Sequence, residues 1–473
     1  MKFLRVILPK LTPLPVKSLG TIDGYYAIIS AMMITVTVSE TKLPLNWGRA
    51  LAALVLLLSL PGRAVSEQLT EFATAAQLLS AFTGRDASDY KTLFDYSPGR
   101  RITEAQVYAV GLDATTARYS GQEAAYFEVN NILRIITADG YEGVSGVDFY
   151  SFDNFSDELF LELEAVAALL PALRSLDPIV VSLALSEKYP DLSDAARASV
   201  DIALWDLAAR RARLPLYQLL GGSRESIDAY ASIPFFDTIA EQIEAVEASA
   251  TQGYDTFKLH IWGEIEADLA LVQDIQERFA NSGYRFMVDL ESVYALEDAL
   301  RLGAQMDEGL FIWFEAPVND ADFAAYATLK NQLELAIIPA GYNIYSPEYI
   351  RKGIATDAWD AARFDATVVG GISPALGLMM IARSSNTPVE IQSWGYALTQ
   401  AVNLHLMLAN EQTEFFEAPM PEAPFMFGLS NAWMFTQGRV YAPGGHGLGL
   451  HMDWASLTEA DYYKKVTISG RLR

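Results

Sequence analysis

The feature that most restricts the fold lies after Gly222. Short apolar runs each end in a polar residue and are followed by helix-like segments. The runs end at Lys258/His260, Asp289, Glu315, Tyr342, Asp365, Gln392 and Glu417, at steps of 23 to 31 residues. Strands alternating with helices at this pitch build βαβ units and a parallel sheet. With "IDAYASI" (227–233) ahead of them as a further strand, eight units close a (β/α)8 barrel of about 200 residues. In such a barrel the strand ends converge on one mouth, where the chemistry gathers. "FKLHIW" (257–262) sharpens the point. Alternate strand residues share a face, so Lys258 and His260 point the same way.

Composition narrows the chemistry at that mouth. Net charge is −25, which argues against nucleic acid, whose binding depends on neutralising phosphates with Lys and Arg. A site for a carboxylate therefore needs local positive charge or a metal. The chain has no cysteine, so disulfides, thiolate catalysis and Cys-based zinc or iron–sulfur sites are excluded. It has only four histidines, so a metal site has to use mostly oxygen ligands, which suits Mg²⁺-like ions.

The first hundred residues read differently. "YYAIISAMMITVTV" (25–38) and "ALAALVLLLSL" (50–60) fall short of the roughly 20 residues a membrane helix needs, so no stable span is expected. The second has basic residues before it and Ala64-x-Ser66 after it, the order of a secretory signal. A start at Met32 or Met33 places that segment (33–66) at an N-terminus, with a mature chain from near Glu67 and export; a buried apolar helix is the alternative, with a cytoplasmic protein. The expected division is a leader over 1–66, an extension over 67–100, an α+β domain over 101–225, the barrel over 226–430 and a returning tail over 431–473. Ser193 caps a strong helix that Pro215 and Gly221-Gly222 close.

The strand ends carry the chemistry. "FMVDLES" contributes Asp289 and Glu291, and "LFIWFEAP" contributes Glu315. One such carboxylate is more often a helix cap or a solvated loop residue. Several at matched strand ends can hold a divalent cation, which stabilises the enolate-like charge left when an α-proton is removed. Lys258 and His260 are the candidate bases.

These pieces, with "SVDIALWDLAARRARLPLYQLLGG", "FDATVVGGISPALGL", "QAVNLHLMLANEQTEFFEAP" and "GLGLHMD", resemble the enolase superfamily in its mandelate racemase and muconate lactonising enzyme branch, from about Arg101 onward. The resemblance implies an α+β N-terminal capping domain, a modified (β/α)8 TIM barrel, a tail returning to the cap, and commonly a homo-oligomer. It implies one Mg²⁺ and reactions that begin with loss of a proton α to a carboxylate. Lys258 matches the first lysine of the family's Lys-x-Lys motif, and His260 stands where the second, the base, is usual. Asp289 and Glu315 match the first two metal ligands. Tyr342 stands at the third, with Asn343 or Glu291 as substitutes if the register differs. Asp365 matches an aspartate that often pairs with a seventh-strand histidine, and Gln392 takes that histidine's place. Glu417 matches the glutamate that contacts the substrate carboxylate. The reaction expected is Mg²⁺-assisted dehydration of a small carboxylate, an acid sugar or hydroxy acid. A racemase or epimerase is the alternative within the class. A degenerate homologue that binds a ligand or partner without turnover is the alternative outside it, favoured by Tyr342 and Gln392.

Overall fold

The computed structural model describes residues 72–116, 126–152, 154–306, 309–342, 346–431, 433 and 435–470. The signal-like segment over 33–66 and Asn343 lie outside the described residues. Among the described residues no helix is long and apolar enough to cross a membrane.

After a helix at Ala75–Thr83 come three strands: β1 (Ile102–Gly111), β2 (Tyr126–Thr137) and β3 (Glu142–Phe152). They pair antiparallel in sequence order. Helices Glu158–Ala167, Pro178–Lys188 and Asp194–Ala212 follow. The last is buried along most of its length and packs on β3. Ser193 Oγ accepts the amide of Ala196 at its start, which satisfies one of the donors a helix N-terminus leaves open.

Eight parallel strands then form the barrel: β4 (Ser226–Ile233), β5 (Thr256–His260), β6 (Arg285–Asp289), β7 (Phe311–Glu315), β8 (Ala336–Ile338), β9 (Ala362–Phe364), β10 (Val389–Ile391) and β11 (Phe415–Pro419). Helices separate them, from Ile239–Thr251 after β4 to Ala397–Leu408 after β10. Outward residues such as Phe257, Leu259, Phe286 and Phe314 bury against those helices. Inward residues Tyr230, Met287, Trp313, Ile338 and Phe415 form a separate core that fills the barrel's lower layer. This layer is the floor of the site.

The backbone ladder runs unbroken through β11, β4, β5, β6, β7 and β8, and β9 pairs with β10. At the two remaining seams other groups make the connection. Asp360 N donates to Ile337 O at 2.8 Å between β8 and β9. Between β10 and β11, Ser393 Oγ donates to Glu417 O (2.9 Å) and accepts from Glu417 N (3.1 Å). Lower on that seam, Glu390 accepts the amides of Glu414 and Phe415.

A hairpin, β12 (Phe435–Thr436) and β13 (Arg439–Tyr441), pairs with the start of β4. The final strand, β14 (Tyr462–Ser469), returns to pair antiparallel with β1 and completes the cap's four-stranded sheet. Cap and barrel meet at Gly395, whose φ of 135° lies where side chains are strained. A Cβ there would stand 2.1 Å from Asp148 Oδ2, the oxygen that accepts the amide of Tyr396 at 2.8 Å.

Candidate active site

Register places the polar strand ends side by side. His260 pairs with Asp289, and Asp289 with Glu315, across β5, β6 and β7. Above them lies a cavity of about 410 Å³. Lys258, His260, Asp289, Glu291, Tyr342, Asp365, Gln392, Trp394 and Glu417 line it from the barrel, with Tyr126 and Tyr150 from the cap. The structure thus brings seven of the nine residues expected from the sequence to one cavity. The eighth, Glu315, is buried beneath it and does not line the cavity. The ninth, Asn343, lies outside the described residues.

Lys258 is the centre of the charge network. Its Nζ stands 2.7 Å from Glu417 Oε1, 3.0 Å from Glu315 Oε2 and 3.2 Å from Asp289 Oδ2. Burial opposes its charge, but Glu315 and Glu417 outweigh burial and hold the ammonium protonated well above the usual lysine value. Lys258 is therefore a cation here and not a base. Arg363, on β9, backs the same carboxylates, with Nε 2.8 Å from Glu315 Oε1 and a terminal nitrogen 3.1 Å from Glu417 Oε2. Burial would raise the Glu417 carboxyl, yet Lys258 and Arg363 pull it down to about 2. Ser232 donates to Glu417 Oε1 at 2.9 Å. Both Glu417 oxygens are thus committed to the protein. The side chain also lines the cavity, so its expected contact with a substrate carboxylate stands beside its ion pair with Lys258.

His260 differs in kind. Its Nδ1 lies 2.7 Å from the carbonyl oxygen of Ile233. A carbonyl only accepts, so Nδ1 carries the hydrogen and Nε2 the lone pair. Burial lowers the imidazole pKa below its ordinary value, with Asp289 opposing in part. A neutral histidine with a fixed tautomer results. Its Nε2 stands 3.5 Å from Asp289 Oδ2 and 3.9 Å from Glu291 Oε1.

Glu291 reaches the cavity through an unusual backbone. It and Ser292 both take positive φ, 51° and 64°, a strained left-handed pair of a kind that collects at functional sites. Tyr342 donates its hydroxyl to Glu291 Oε2. Burial, then the neighbouring Asp289, push the Glu291 carboxyl up to about 8. Burial also holds the Tyr342 hydroxyl neutral, its pKa well above the usual value.

Asp365 stands across the cavity on the loop after β9. Its Oδ1 accepts from Thr367 N (2.7 Å), Thr367 Oγ1 (2.8 Å) and Asn403 Nδ2 (2.8 Å). Burial still pushes its carboxyl up to about 6. The expected histidine partner is absent from the seventh strand end, where Gln392 lines the cavity. Asp365 is thus an acid in its own right. Of the tryptophans at strand ends, Trp394 walls the cavity, Trp313 packs in the barrel floor, and Trp262 donates to Phe236 O at 3.0 Å.

The metal expected from the resemblance was set on Asp289, Glu315 and Asn343. Asp289 Oδ1 accepts the amide of Glu291 (3.0 Å), Asp289 Oδ2 and Glu315 Oε2 face Lys258, and Glu315 Oε1 lies 2.8 Å from Arg363 Nε without a hydrogen bond. Tyr342, at the third position, is neutral and bonded to Glu291. This set does not fit Mg²⁺. Among the described residues, a different group, His260, Asp289 and Glu291, places one ligand atom each within 4.8 Å of the others. Its imidazole nitrogen is foreign to Mg²⁺, which takes oxygen ligands in octahedral geometry.

Reasoning from the sequence missed Arg363 and the cap residues Tyr126 and Tyr150. For Arg363 a signal existed: it precedes Asp365 by two residues in a buried strand, on the same parity. The cap tyrosines carry no local mark.

Comparison with known proteins agrees with this fold. Residues 103–221 match the mandelate racemase/muconate lactonizing enzyme N-terminal domain, and residues 240–456 the enolase C-terminal domain-like family. A solved protein described as a mandelate racemase/muconate lactonizing enzyme, from Pseudovibrio sp., is 31% identical with a TM-score of 0.72, over 79% of this chain and all of that one. The L-talarate/galactarate dehydratase of Salmonella typhimurium is 29% identical over 272 residues, 56% of this chain and 66% of that enzyme. Its structure, solved with Mg and L-lyxarohydroxamate, superposes with a TM-score of 0.68 at 23% identity, over 79% of this chain and 96% of that one. The D-galactarolactone cycloisomerase of Agrobacterium fabrum is 26% identical over 283 residues, 57% of this chain and 74% of that enzyme. The chain belongs to the mandelate racemase/muconate lactonizing enzyme family of the enolase superfamily, with a (β/α)8 barrel under an α+β cap.

Proposed function

We propose that the protein dehydrates a small hydroxylated carboxylate, an acid sugar such as an aldarate or aldonate, by removing its α-proton. The observation that carries this is the His260 tautomer: Nδ1 fixed on Ile233 O leaves a neutral Nε2 facing the cavity. A base with a pKa somewhat below 6.5 is largely unprotonated at neutral pH and can accept a proton there.

His260 Nε2 takes the α-proton, and the C–H electron pair becomes an enediolate. Its collapse breaks the β carbon–oxygen bond. Asp365, a carboxyl near 6 across the cavity, gives its proton to the leaving hydroxyl, so that water departs. The enol that remains tautomerises to a 2-keto acid. A reaction that inverts a centre needs a proton carrier on each face; Gln392, where the family's histidine stands, carries none, which favours dehydration over racemisation. The relatives named as a dehydratase and a cycloisomerase of acid-sugar substrates support this class.

The test is α-proton exchange into D₂O, followed by NMR over a panel of aldarates and aldonates. The wild type is expected to exchange and dehydrate at least one. His260→Asn is expected to abolish both, and Asp365→Asn to keep exchange and lose dehydration. Exchange in His260→Asn at the wild-type rate overturns the assignment.

A further inference from the structure

We infer that Glu128, on the cap strand β2, is a positioning residue: held between Tyr150 and Asp148, it fixes the aromatic wall of the cavity to the turn that joins cap and barrel. Neither the identity of the substrate nor the proposed proton abstraction enters this inference.

Register builds the arrangement. Across β2 and β3, Glu128 pairs with Tyr150 and Asn130 with Asp148. Residues two apart in a strand share a face, so all four side chains stand together on one face of the cap sheet. Tyr126, two residues before Glu128, continues that face, and both Tyr126 and Tyr150 line the cavity. Glu128 is 1% exposed. A carboxyl so buried has to find partners within the protein.

Its partners form a chain that crosses from cap to barrel. Tyr150 donates its hydroxyl to Glu128 Oε1 at 3.3 Å. Glu128 hydrogen-bonds in turn to Asp148. Asp148 Oδ1 accepts from Asn130 Nδ2 (2.6 Å), and its Oδ2 accepts the amide of Tyr396 (2.8 Å). Trp394, which walls the cavity from the barrel side, also faces Glu128. One carboxyl thus meets the cap wall, the barrel wall and the group that anchors the turn after Trp394.

Two carboxyls share a hydrogen bond only when one of them keeps its proton. Burial, then the charge of Asp148, hold the Glu128 carboxyl well above the usual glutamate value, and burial pushes Asp148 up to about 6. At neutral pH Glu128 is therefore the donor and Asp148 the anion. Tyr150, Tyr396 and Asp365 also act on the pair, and none of them brings a positive charge. A protonated carboxyl gives and accepts one hydrogen bond at once. A carboxamide reproduces that role, and an alkyl chain of similar bulk does not.

The test sets Glu128→Gln against Glu128→Leu. Amide hydrogen exchange is read by mass spectrometry on the peptide covering Trp394–Tyr396, without substrate and at neutral pH. Exchange there is expected to quicken on the order of tenfold in Glu128→Leu, because Asp148 loses its donor and Tyr150 its acceptor. Glu128→Gln is expected to match the wild type, and the distant barrel helix Ile265–Phe279 to be unchanged in both. The infrared difference between wild type and Glu128→Gln should show the carbonyl band of one protonated carboxyl. Unchanged exchange in Glu128→Leu overturns the inference, and so does quickening spread evenly over the barrel, the mark of a merely structural role. Quickening in Glu128→Gln equal to that in Glu128→Leu, or a missing carboxyl band, also overturns it. Should Glu128→Leu fail to fold, the infrared band and the exchange of Glu128→Gln decide. These readouts need no turnover, so they stand apart from whether dehydration is found.

Discussion

His260 Nδ1 donates to the carbonyl of Ile233, one strand away on β4, and this hydrogen bond sets which nitrogen faces the cavity. The proposed base is therefore prepared by main chain, not by a second side chain. Two pH profiles follow. Proton exchange needs only neutral His260, so it rises with pH through a value below 6.5 and then holds level. Dehydration also needs protonated Asp365, so it falls as pH passes about 6. NMR exchange and keto-acid formation, measured from pH 4.5 to 8.5 as an illustrative range of about four units, should separate above pH 6. Dehydration that stays level to the alkaline end removes Asp365 from the role.

Arg363→Met leaves Glu315 and Glu417 buried with one cation fewer. Breaking a buried ion pair from one side costs about 3–5 kcal/mol. The urea midpoint is expected to fall accordingly, and Arg363→Lys to recover part of it, since lysine keeps the charge without the two-pronged geometry. A midpoint within error of the wild type would mean that Arg363 does not hold the network.

Gly395→Ala tests the joint between cap and barrel. The added Cβ meets Asp148 Oδ2, and the φ of 135° alone costs about 1–3 kcal/mol in a residue with a side chain. Because Trp394 is adjacent and walls the cavity, KM should rise along with the loss of stability. Amide hydrogen exchange at β3 and at the segment after Gly395 should speed up together; unchanged exchange would show that the joint is tolerant.

His405 is buried on the helix after β10, with Nδ1 accepting the amide of Tyr217 at 3.2 Å. Burial lowers its pKa to about 4. The unfolded chain therefore binds a proton between about pH 6.5 and 4 that the folded one does not, so stability is lost as pH falls through that window. A shift of that size corresponds to about 3 kcal/mol. The stability difference between the wild type and His405→Asn should narrow by about this amount from pH 7 to pH 4, as measured by urea unfolding. A constant difference would show that His405 titrates alike in both states.

Much of this site was legible because a parallel barrel turns spacing into position. Polar residues at a pitch of 23 to 31 had to meet at one mouth, and register does place His260, Asp289 and Glu315 in line. What spacing does not encode is side-chain reach. Lys258 reads as a candidate base and Glu417 as a substrate contact, yet the two form an ion pair, because a buried ammonium and a buried carboxylate each need a partner. Nor does it encode backbone hand: nothing in "DLESV" marks Glu291 as left-handed, so its entry into the cavity was read only as a conditional substitute.

The two seams of the barrel carry a consequence for how this scaffold can change. Asp289, Glu315 and Glu417 sit on the six strands joined edge to edge by main chain. Tyr342 and Gln392, two of the positions where the family's usual groups are exchanged, follow β8 and β10, the strands that border the seams, while the third, His260, ends β5 within the arc. There main-chain bonds are few, Asp360 N to Ile337 O and Val389 N to Gln412 O, and the side chains of Asp360, Ser393 and Glu390 add the rest. The barrel is thus a continuous six-stranded arc closed by a two-stranded insert, and two of its three exchanged groups stand beside the joins.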